Sequence, residues 1–144
     1  MQNQVVVNTD GGARGNPGPA ACAFVIKRGG DVLFKNSRFL GNATNNQAEY
    51  QGAIMALSYL SEHSKDFSAM EIVFILDSEL VARQLAGKYK TKNAELKSLL
   101  ATAKLLEKKI NANIFYHVTS REKNKTADFL VNEELDKQLG VSRR

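Results

Sequence analysis

Cysteine, histidine and tryptophan are scarce in this chain of 144 residues. Cys22 is the only cysteine, so an internal disulfide is excluded, and its small apolar neighbours predict a buried core residue. The two histidines and the single cysteine are far apart in the sequence and form no cluster of the kind that structural zinc sites use. Tryptophan is absent, so aromatic stacking on a ligand would have to come from other rings.

Long apolar runs are also lacking. No run approaches the roughly 20 residues that a membrane-spanning helix needs, and the N-terminus has neither the charged region nor the apolar stretch of a signal peptide. We therefore expect a cytoplasmic protein that does not bind membranes. The hydrophobic content of 43% and charged content of 24% are those of a globular protein. The length predicts a single domain that covers residues 1–144.

Positive charge is concentrated in one part of the chain. Residues 83–125 hold eleven Lys or Arg and three Asp or Glu, a local net charge of +8, whereas the whole chain carries +5. A solvated helix face accounts for some of these lysines. The asymmetry nevertheless favours a polyanionic partner. Charge alone does not choose among DNA, RNA, a hybrid of the two and an anionic membrane.

Hydrophobic patterning predicts nine elements in the order βββαβααβα. The strands are expected at about 4–10, 20–27, 31–40, 71–76 and 114–118, and the helices at about 45–60, 78–87, 93–110 and 126–139. This order predicts an α/β fold with a mixed five-stranded sheet and helices on both faces. The nearly continuous apolar run 71–76 predicts a strand buried on both faces, and the tail 141–144 is expected to fray.

Two of the acids follow predicted strands. Asp10 ends the first strand before a glycine-rich segment, 11–19, which we interpret as a turn, and Asp77 ends the run 71–76. In open α/β sheets, ligands bind beyond the carboxyl ends of strands. Each acid has an ordinary alternative role, because Asp10 suits a turn and Asp77 suits a helix N-cap.

Two further acids, Glu49 and Asp128, each begin an apolar helical stripe. At about 100° per residue, the stripes continue through Ala53, Ala56 and Leu60 in one helix and through Val131, Leu135 and Leu139 in the other. A carboxylate aimed along a core face is costly unless it is paired or binds a metal. The alternative is that both acids lie in first turns and complement the helix dipole. The coincidence of two such acids favours a site.

Four carboxylates without a Cys or His cluster favour Mg²⁺ or Mn²⁺ over zinc. Such a set is able to hold two ions about 3.5–4 Å apart, the spacing used in phosphodiester hydrolysis. One ion would activate the attacking water and the other would stabilise the leaving oxygen. The acids therefore predict a metal-dependent hydrolase.

The motifs around these acids resemble those of the type 1 ribonuclease H family. The matching segments are 9–12, 15–18, 44–49, 77–78 and 124–128, and the likeness covers about residues 4–135. It implies an endoribonuclease that cleaves the RNA strand of RNA–DNA hybrids and leaves 5′-phosphate and 3′-hydroxyl ends. The acids Asp10, Glu49, Asp77 and Asp128 match the family's catalytic metal ligands, with two Mg²⁺ ions in the substrate complex and Mn²⁺ as the alternative.

The resemblance also implies substrate contacts. Asn16, Asn45 and Asn46 match amides that contact the hybrid in its minor groove, and Thr44 matches a threonine that holds a DNA-strand phosphate. Amides and hydroxyls are suited to 2′-hydroxyls and base edges across a wide, shallow groove. The alternative for the asparagines is turn and cap chemistry.

Three departures from the family pattern are visible. The loop before Asp128 has no histidine, and Arg121 stands in its place, as in shorter members. Arginine cannot act as a general base near neutral pH, but it is able to hold the scissile phosphate or stabilise charge; the alternative is a surface arginine. Glu79 stands where some members have glutamine. We interpret His117 as structural.

The third departure is the missing basic handle of some bacterial members. Only the segment 86–92 joins two predicted helices, and there Lys88 and Lys90 are expected to contact DNA phosphates. His63 is expected on a surface loop. We expect a monomer without an obligate protein partner. The alternatives to the hybrid-cleaving enzyme are a non-catalytic hybrid-binding module and a nuclease of the same fold that acts on double-stranded RNA or 3′ ends.

Overall fold

The computed structural model describes residues 3–141. Its strands are β1 (Gln4–Ala13), β2 (Gly18–Arg28), β3 (Asp31–Ala43), β4 (Glu71–Leu76) and β5 (Asn113–Val118), and its helices are α1 (Asn45–Glu62), α2 (Glu79–Leu85), α3 (Ala94–Glu107) and α4 (Lys125–Leu139). Short 3-10 turns cover Ser64–Phe67 and Arg121–Asn124. Apart from Val141, the tail expected to fray lies outside the described residues.

One five-stranded sheet has the order β3-β2-β1-β4-β5. The first three strands form an antiparallel meander, and β1, β4 and β5 are parallel. The predicted element order and mixed sheet are therefore confirmed. Helix α2 ends at Leu85 and α3 at Glu107, two and three residues earlier than the patterning predicted.

Helices cover both faces of the sheet, as predicted. On one face, α1, α2 and α3 pack against apolar residues of β1, β2 and β4 in a large core cluster. On the other face, α4 packs against Ala21, Ala23 and Val25 of β2. The two faces follow from the alternation of side chains along each strand. Cys22 is fully buried, as predicted, and burial raises the pKa of its thiol to about 12.

Strand β4 differs from the prediction because only one of its faces is fully buried. Ile72, Phe74 and Leu76 are completely buried in the large core, whereas Val73 and Ile75 on the opposite face are half-buried. The reason is that α4 lies over β1, β2 and β3, not over β4. The apolar run reflects the strand's central place in the sheet more than equal burial of its two faces.

Strand β1 extends to Ala13, so the prediction that a turn begins at Gly11 is wrong. Gly11 pairs with Cys22 and Ala13 with Ala20 in the ladder with β2. A Cβ on Gly11 would lie 2.1 Å from the main-chain carbonyl of Ala48. Glycine is therefore required there, because it allows α1 to pack directly onto the part of β1 that carries Asp10.

Polar side chains begin the helices next to this region. Thr44 caps α1 in a capping box with Gln47, and the Ser78 hydroxyl caps α2 by accepting a hydrogen bond from the Val81 amide at 3.3 Å. Within residues 3–141, no helix is both long enough and apolar enough to cross a membrane.

Candidate active site

Three of the four predicted acids form a compact group near the carboxyl ends of the neighbouring inner strands β1 and β4. One carboxylate oxygen each from Asp10, Glu49 and Asp77 lies within 4.8 Å of the other two; we call this group the three-acid cluster. Asp10 and Glu49 are buried, and Asp77 is half-buried. The cluster forms because parallel pairing brings the carboxyl ends of β1 and β4 to the same edge, where α1 contributes Glu49.

The ordinary alternatives for these acids are weakened by the structure. Asp77 does not cap α2, because Ser78 does. Glu49 lies in the second turn of α1, which begins at Asn45, so the prediction that it lies in the first turn is wrong and a helix-dipole role is disfavoured. Asp10 accepts a hydrogen bond from the Gly11 amide at 2.9 Å, but it does so within a strand, not a turn.

Asp128 lies in the first turn of α4 and lines the same cleft as the three-acid cluster. The cleft has a volume of about 550 Å³, and Arg121, Asn45 and Asn46 also line it. Within α4, the predicted apolar stripe is confirmed at Val131 and Leu135 but not at Leu139, which is 42% exposed. All four predicted acids therefore face one cleft.

The acids are crowded together, and two of them, Asp10 and Glu49, are buried. Burial, together with the charges of Asp77 and Asp128, raises the pKa of Asp10 to about 8, although the hydrogen bond from the Gly11 amide lowers it. Burial, followed by the charges of Asp10 and Asp77, holds the pKa of Glu49 well above its usual value, while Arg121 lowers it. The buried Oε1 of Glu49 has no hydrogen-bond partner among residues 3–141. Unsatisfied, mutually repelling carboxylates are suited to a divalent cation.

The predicted substrate-contacting asparagines lie at the start of α1. The Asn16 side chain accepts a hydrogen bond from the Asn45 amide, and the Asn45 side chain accepts one from the Ala13 amide, both at 2.9 Å. These two asparagines therefore perform the turn chemistry that we considered as the alternative. In the part of the chain that the structure describes, the Asn46 side chain makes no hydrogen bond. The Thr44 hydroxyl accepts from the Gln47 amide at 3.1 Å.

Known proteins resemble this chain in both fold and sequence. A family model described as reverse transcriptase-like matches residues 8–134. LC11-RNase H1, solved in complex with an RNA/DNA hybrid, is 41% identical with a TM-score of 0.89, over 94% of this chain and 99% of that one. Ribonuclease HI of Halobacterium salinarum is 40% identical over 128 residues, 88% of this chain and 62% of its own length. The chain belongs to the type 1 ribonuclease H family.

Other ribonuclease H relatives are much longer than the part that this chain matches. The bifunctional protein Rv2228c of Mycobacterium tuberculosis is 36% identical over 135 residues, which make up 92% of this chain and 36% of that protein. Its N-terminal RNase H domain, solved as a fusion with maltose binding protein, has a TM-score of 0.84 and 36% identity over 93% of this chain and 94% of that one. The chain thus spans about a third of the mycobacterial relative.

The loop that carries a histidine in many ribonuclease H proteins carries Arg121 here. Arg121 is exposed and lines the acid cleft. Lys88 and Lys90 do not line this cleft: Lys88 lines a separate depression with His117, and Lys90 lines a groove along α3. The exposed position of His117 gives no support to the predicted structural role. His63 is exposed, as predicted, and is the C-cap residue that follows α1.

Buried amides beside the three-acid cluster were missed from the sequence. Asn124 is 1% exposed. Its amide donates to the Thr9 carbonyl at 2.9 Å and to Asp77 Oδ2 at 3.4 Å, and its oxygen accepts from Asn8 at 2.9 Å. The available signal was Asn8, a polar residue in an apolar strand, two positions before Asp10 and therefore on the same face.

Proposed function

We propose that the protein is a metal-dependent endoribonuclease that hydrolyses the RNA strand of RNA–DNA hybrids and leaves 5′-phosphate and 3′-hydroxyl ends. The observation that carries this proposal is the three-acid cluster, in a cleft that Asp128, Arg121 and two asparagines also line. Further support comes from the similar LC11-RNase H1, which was solved with a hybrid.

The residues present fit a divalent cation. Glu49 Oε1 is buried without a partner in the described chain, and like charges meet at Asp10. We propose that the three-acid cluster and Asp128 hold Mg²⁺, two ions in the substrate complex, with Mn²⁺ as the alternative. When bound, such ions supply a hydroxide nucleophile at neutral pH and stabilise charge on the leaving oxygen.

Asp10 is the central acid of this proposed site. Its carboxylate is close enough to those of Glu49 and Asp77 for all three to bind one cation. It is also next to Asp128, whose charge and hydrogen bond raise the pKa of Asp10. No other acid in the cleft has all three of these relationships. We propose that Asp10 would contribute to holding both ions and that Glu49, Asp77 and Asp128 would complete their ligands, so that the bound cations would attract the scissile phosphate.

Arg121 is proposed to bind the scissile phosphate. Its guanidinium is exposed at the rim of the cleft, and its charge lowers the pKa of Glu49, so it lies within electrostatic reach of the acids. Arginine stays protonated, so it does not transfer a proton in the reaction. A planar guanidinium is able to form two hydrogen bonds to one phosphate.

The start of α1 is proposed to contact the minor groove of the hybrid. Asn45 and Asn46 line the cleft, and the Asn16 side chain holds Asn45 by accepting a hydrogen bond from its main-chain amide. Thr44 is proposed to lie against a DNA-strand phosphate, where the first amides of α1 also favour an anion. Lys88 and Lys90, between α2 and α3, are proposed to contact DNA phosphates outside the cleft.

The deciding experiment uses labelled hybrid, double-stranded RNA and double-stranded DNA, each incubated with Mg²⁺, Mn²⁺ or EDTA. We expect internal cleavage of the RNA strand, in the hybrid alone, and only with a metal. A comparison of internally labelled and end-labelled hybrid distinguishes endonuclease from 3′-end activity. Tight hybrid binding without cleavage under either ion would support a binding module instead.

We also propose that residues 1–144 act as one domain and as a monomer. A cytoplasmic location stays a prediction. Analytical ultracentrifugation at the concentration of the cleavage assay tests the monomer, and limited proteolysis tests the single domain. A stable fragment that lacks α4 would contradict the single domain, because α4 covers one face of the sheet.

A further inference from the structure

We propose that Arg14 is a positioning residue that holds Asp128 in place beside the three-acid cluster. The proposal rests on the function proposed above, because it concerns the fourth acid of the same site. Arg14 lies in the turn between β1 and β2, four residues after Asp10. It is linked to Asp128 through one side chain of α4, and it touches none of the three clustered acids in any contact that the structure describes.

The link has two steps, from Arg14 to Asn132 and from Asn132 to Asp128, and an ion pair with Asp136 holds Arg14 against α4. Arg14 Nη1 lies 2.7 Å from Asp136 Oδ1. Arg14 Nη2 lies 3.3 Å from Asn132 Oδ1 and 3.5 Å from the Asn132 carbonyl. The Asn132 amide donates to the Asp128 carbonyl at 3.1 Å and to Asp128 Oδ1 at 3.4 Å. The three α4 residues are spaced by four, so they lie on one face of the helix, and the guanidinium spans two of them.

Asp128 needs such a link more than the other acids do. Asp10, Glu49 and Asp77 are held by strand pairing and by the direct packing of α1 on β1. Asp128 lies on α4, which packs over β1, β2 and β3, and whose N-cap residue Asn124 bonds the Thr9 carbonyl. These contacts hold the helix, but the carboxylate of Asp128 is itself bonded by Asn132, whose side chain Arg14 contacts.

The turn that carries Arg14 is held closed by its own main-chain contacts, so Arg14 has a fixed place relative to β1. The Arg14 amide donates to the Pro19 carbonyl at 2.8 Å. A Cβ on Gly18 would lie 2.2 Å from the Arg14 carbonyl, so the two ends of the turn are in close contact. Asp136 is 7% exposed, and the side chain of Arg14 is 35% exposed. The ion pair is thus half-buried, which makes it more resistant to solvent than a surface pair.

A positioning role and a purely electrostatic role predict opposite signs. Arg14→Ala removes a positive charge near the acids, which by Coulomb attraction alone would strengthen cation binding. Asp136→Asn removes a negative charge, which alone would weaken it. If Arg14 positions Asp128, both substitutions release the same link, so both weaken cation binding although they change the net charge in opposite directions.

The experiment measures Mn²⁺ binding to the metal-free protein by calorimetry, and the Mn²⁺ concentration that gives half-maximal hybrid cleavage. For Arg14→Ala and Asp136→Asn we expect affinity about 10-fold weaker, the lower end of what partners of metal ligands contribute. We expect kcat to fall while KM for the hybrid changes less than about twofold, and Arg14→Lys, which keeps the charge but not the fork, to be intermediate. Arg38→Ala on β3 is the control for loss of one arginine.

A double-mutant cycle with Asp128→Asn gives the deciding result. If Arg14 acts through Asp128, Arg14→Ala adds no further loss of Mn²⁺ affinity in the Asp128→Asn background; additive losses overturn the proposal, as does tighter binding by Arg14→Ala. Thermal unfolding shows whether each variant is folded at the assay temperature. A wild-type protein that cleaves hybrid while Arg14→Ala is unchanged refutes this inference alone, whereas an inactive wild type refutes the proposed function.

Discussion

Gly11 and Ala48 approach so closely that no side chain fits between them: a Cβ on Gly11 would lie 2.1 Å from the Ala48 carbonyl. This contact places the start of α1 directly against the end of β1. Because Asp10 precedes Gly11 and Glu49 follows Ala48, the same contact brings two buried carboxylates together. The packing of α1 on β1 therefore forces the two carboxylates together although they repel each other. The favourable free energy of the rest of the fold offsets this repulsion.

Gly11→Ala is expected to damage both stability and the site. The added methyl group overlaps main chain, not a flexible side chain, so α1 must move away from β1. We expect the free energy of unfolding to fall by about 1–3 kcal/mol or more, as for overpacked cores. We also expect weaker Mn²⁺ binding. Denaturant unfolding and calorimetry measure the two effects.

Gly12→Ala is the matched control for that substitution. A Cβ on Gly12 would meet only Val131 Cγ1, at 3.9 Å, an ordinary contact. We expect its free energy of unfolding to stay within about 0.5 kcal/mol of the wild type. Equal losses for the two alanine variants would show that close packing at Gly11 is not what places Glu49.

Asn124→Ala is expected to destabilise the protein and loosen the site. The substitution removes a buried amide that bonds Thr9 and Asp77, and it leaves Asn8 without its acceptor. An unsatisfied buried polar group costs about 1–3 kcal/mol. Asn113→Ala, at an exposed position that begins β5, is the control. A loss below about 0.5 kcal/mol for Asn124→Ala would contradict the role of this amide as a buried bridge.

The element order was predictable from the sequence because apolar periodicity dominates long elements. The end of β1 was not, since Gly11 and Gly12 favour a turn locally while the ladder with β2 extends the strand to Ala13. Tertiary pairing therefore overrode a local preference. The half-burial of Val73 could not be predicted from the sequence either, because it depends on where α4 lies across the sheet.

The acids of the candidate site could be proposed from the sequence because four carboxylates stood near predicted element ends, in motifs that resemble those of a known family. Their supports were not predictable in the same way. Asn124 and Arg14 act over 115 and 118 residues of separation from the partners that they bond in the sheet and in α4. Such contacts leave no periodic signal in one sequence, and only the folded geometry shows them.

The pH dependence of stability follows from the pKa of Asp10. Burial raises that pKa from 3.8 to about 8, so between these values the folded protein keeps a proton that the unfolded chain has lost. The free energy of unfolding of the metal-free protein therefore falls as pH rises from about 4 to 8, by up to about 1.4 kcal/mol per pH unit for one such group. Urea unfolding in EDTA across this range measures the slope.

Asp10→Asn tests that assignment and the site together. The amide does not titrate, so the fall in stability with pH becomes shallower, and the variant is more stable than the wild type near pH 8 in EDTA. Hybrid cleavage is lost while the fold is kept. Asp66→Asn, at an exposed position in the 3-10 turn after α1, changes the same chemical group elsewhere and is expected to alter neither property. An unchanged slope in Asp10→Asn would remove Asp10 as its source.

Arg121→Ala is expected to reduce turnover without preventing hybrid binding. Arg121 is exposed at the rim of the acid cleft, so its loss has little effect on folding, while a developing negative charge on the phosphate loses its guanidinium partner. We expect kcat to fall by about 10²-fold or more, as when one preorganised charge-stabilising donor is removed, and KM to change little. Single-turnover cleavage and equilibrium binding measure the two parts. Lys123→Ala, which removes the same charge from the same turn, is the control. An equal effect of the two substitutions would show that Arg121 contributes only its positive charge and not a specific contact with the phosphate.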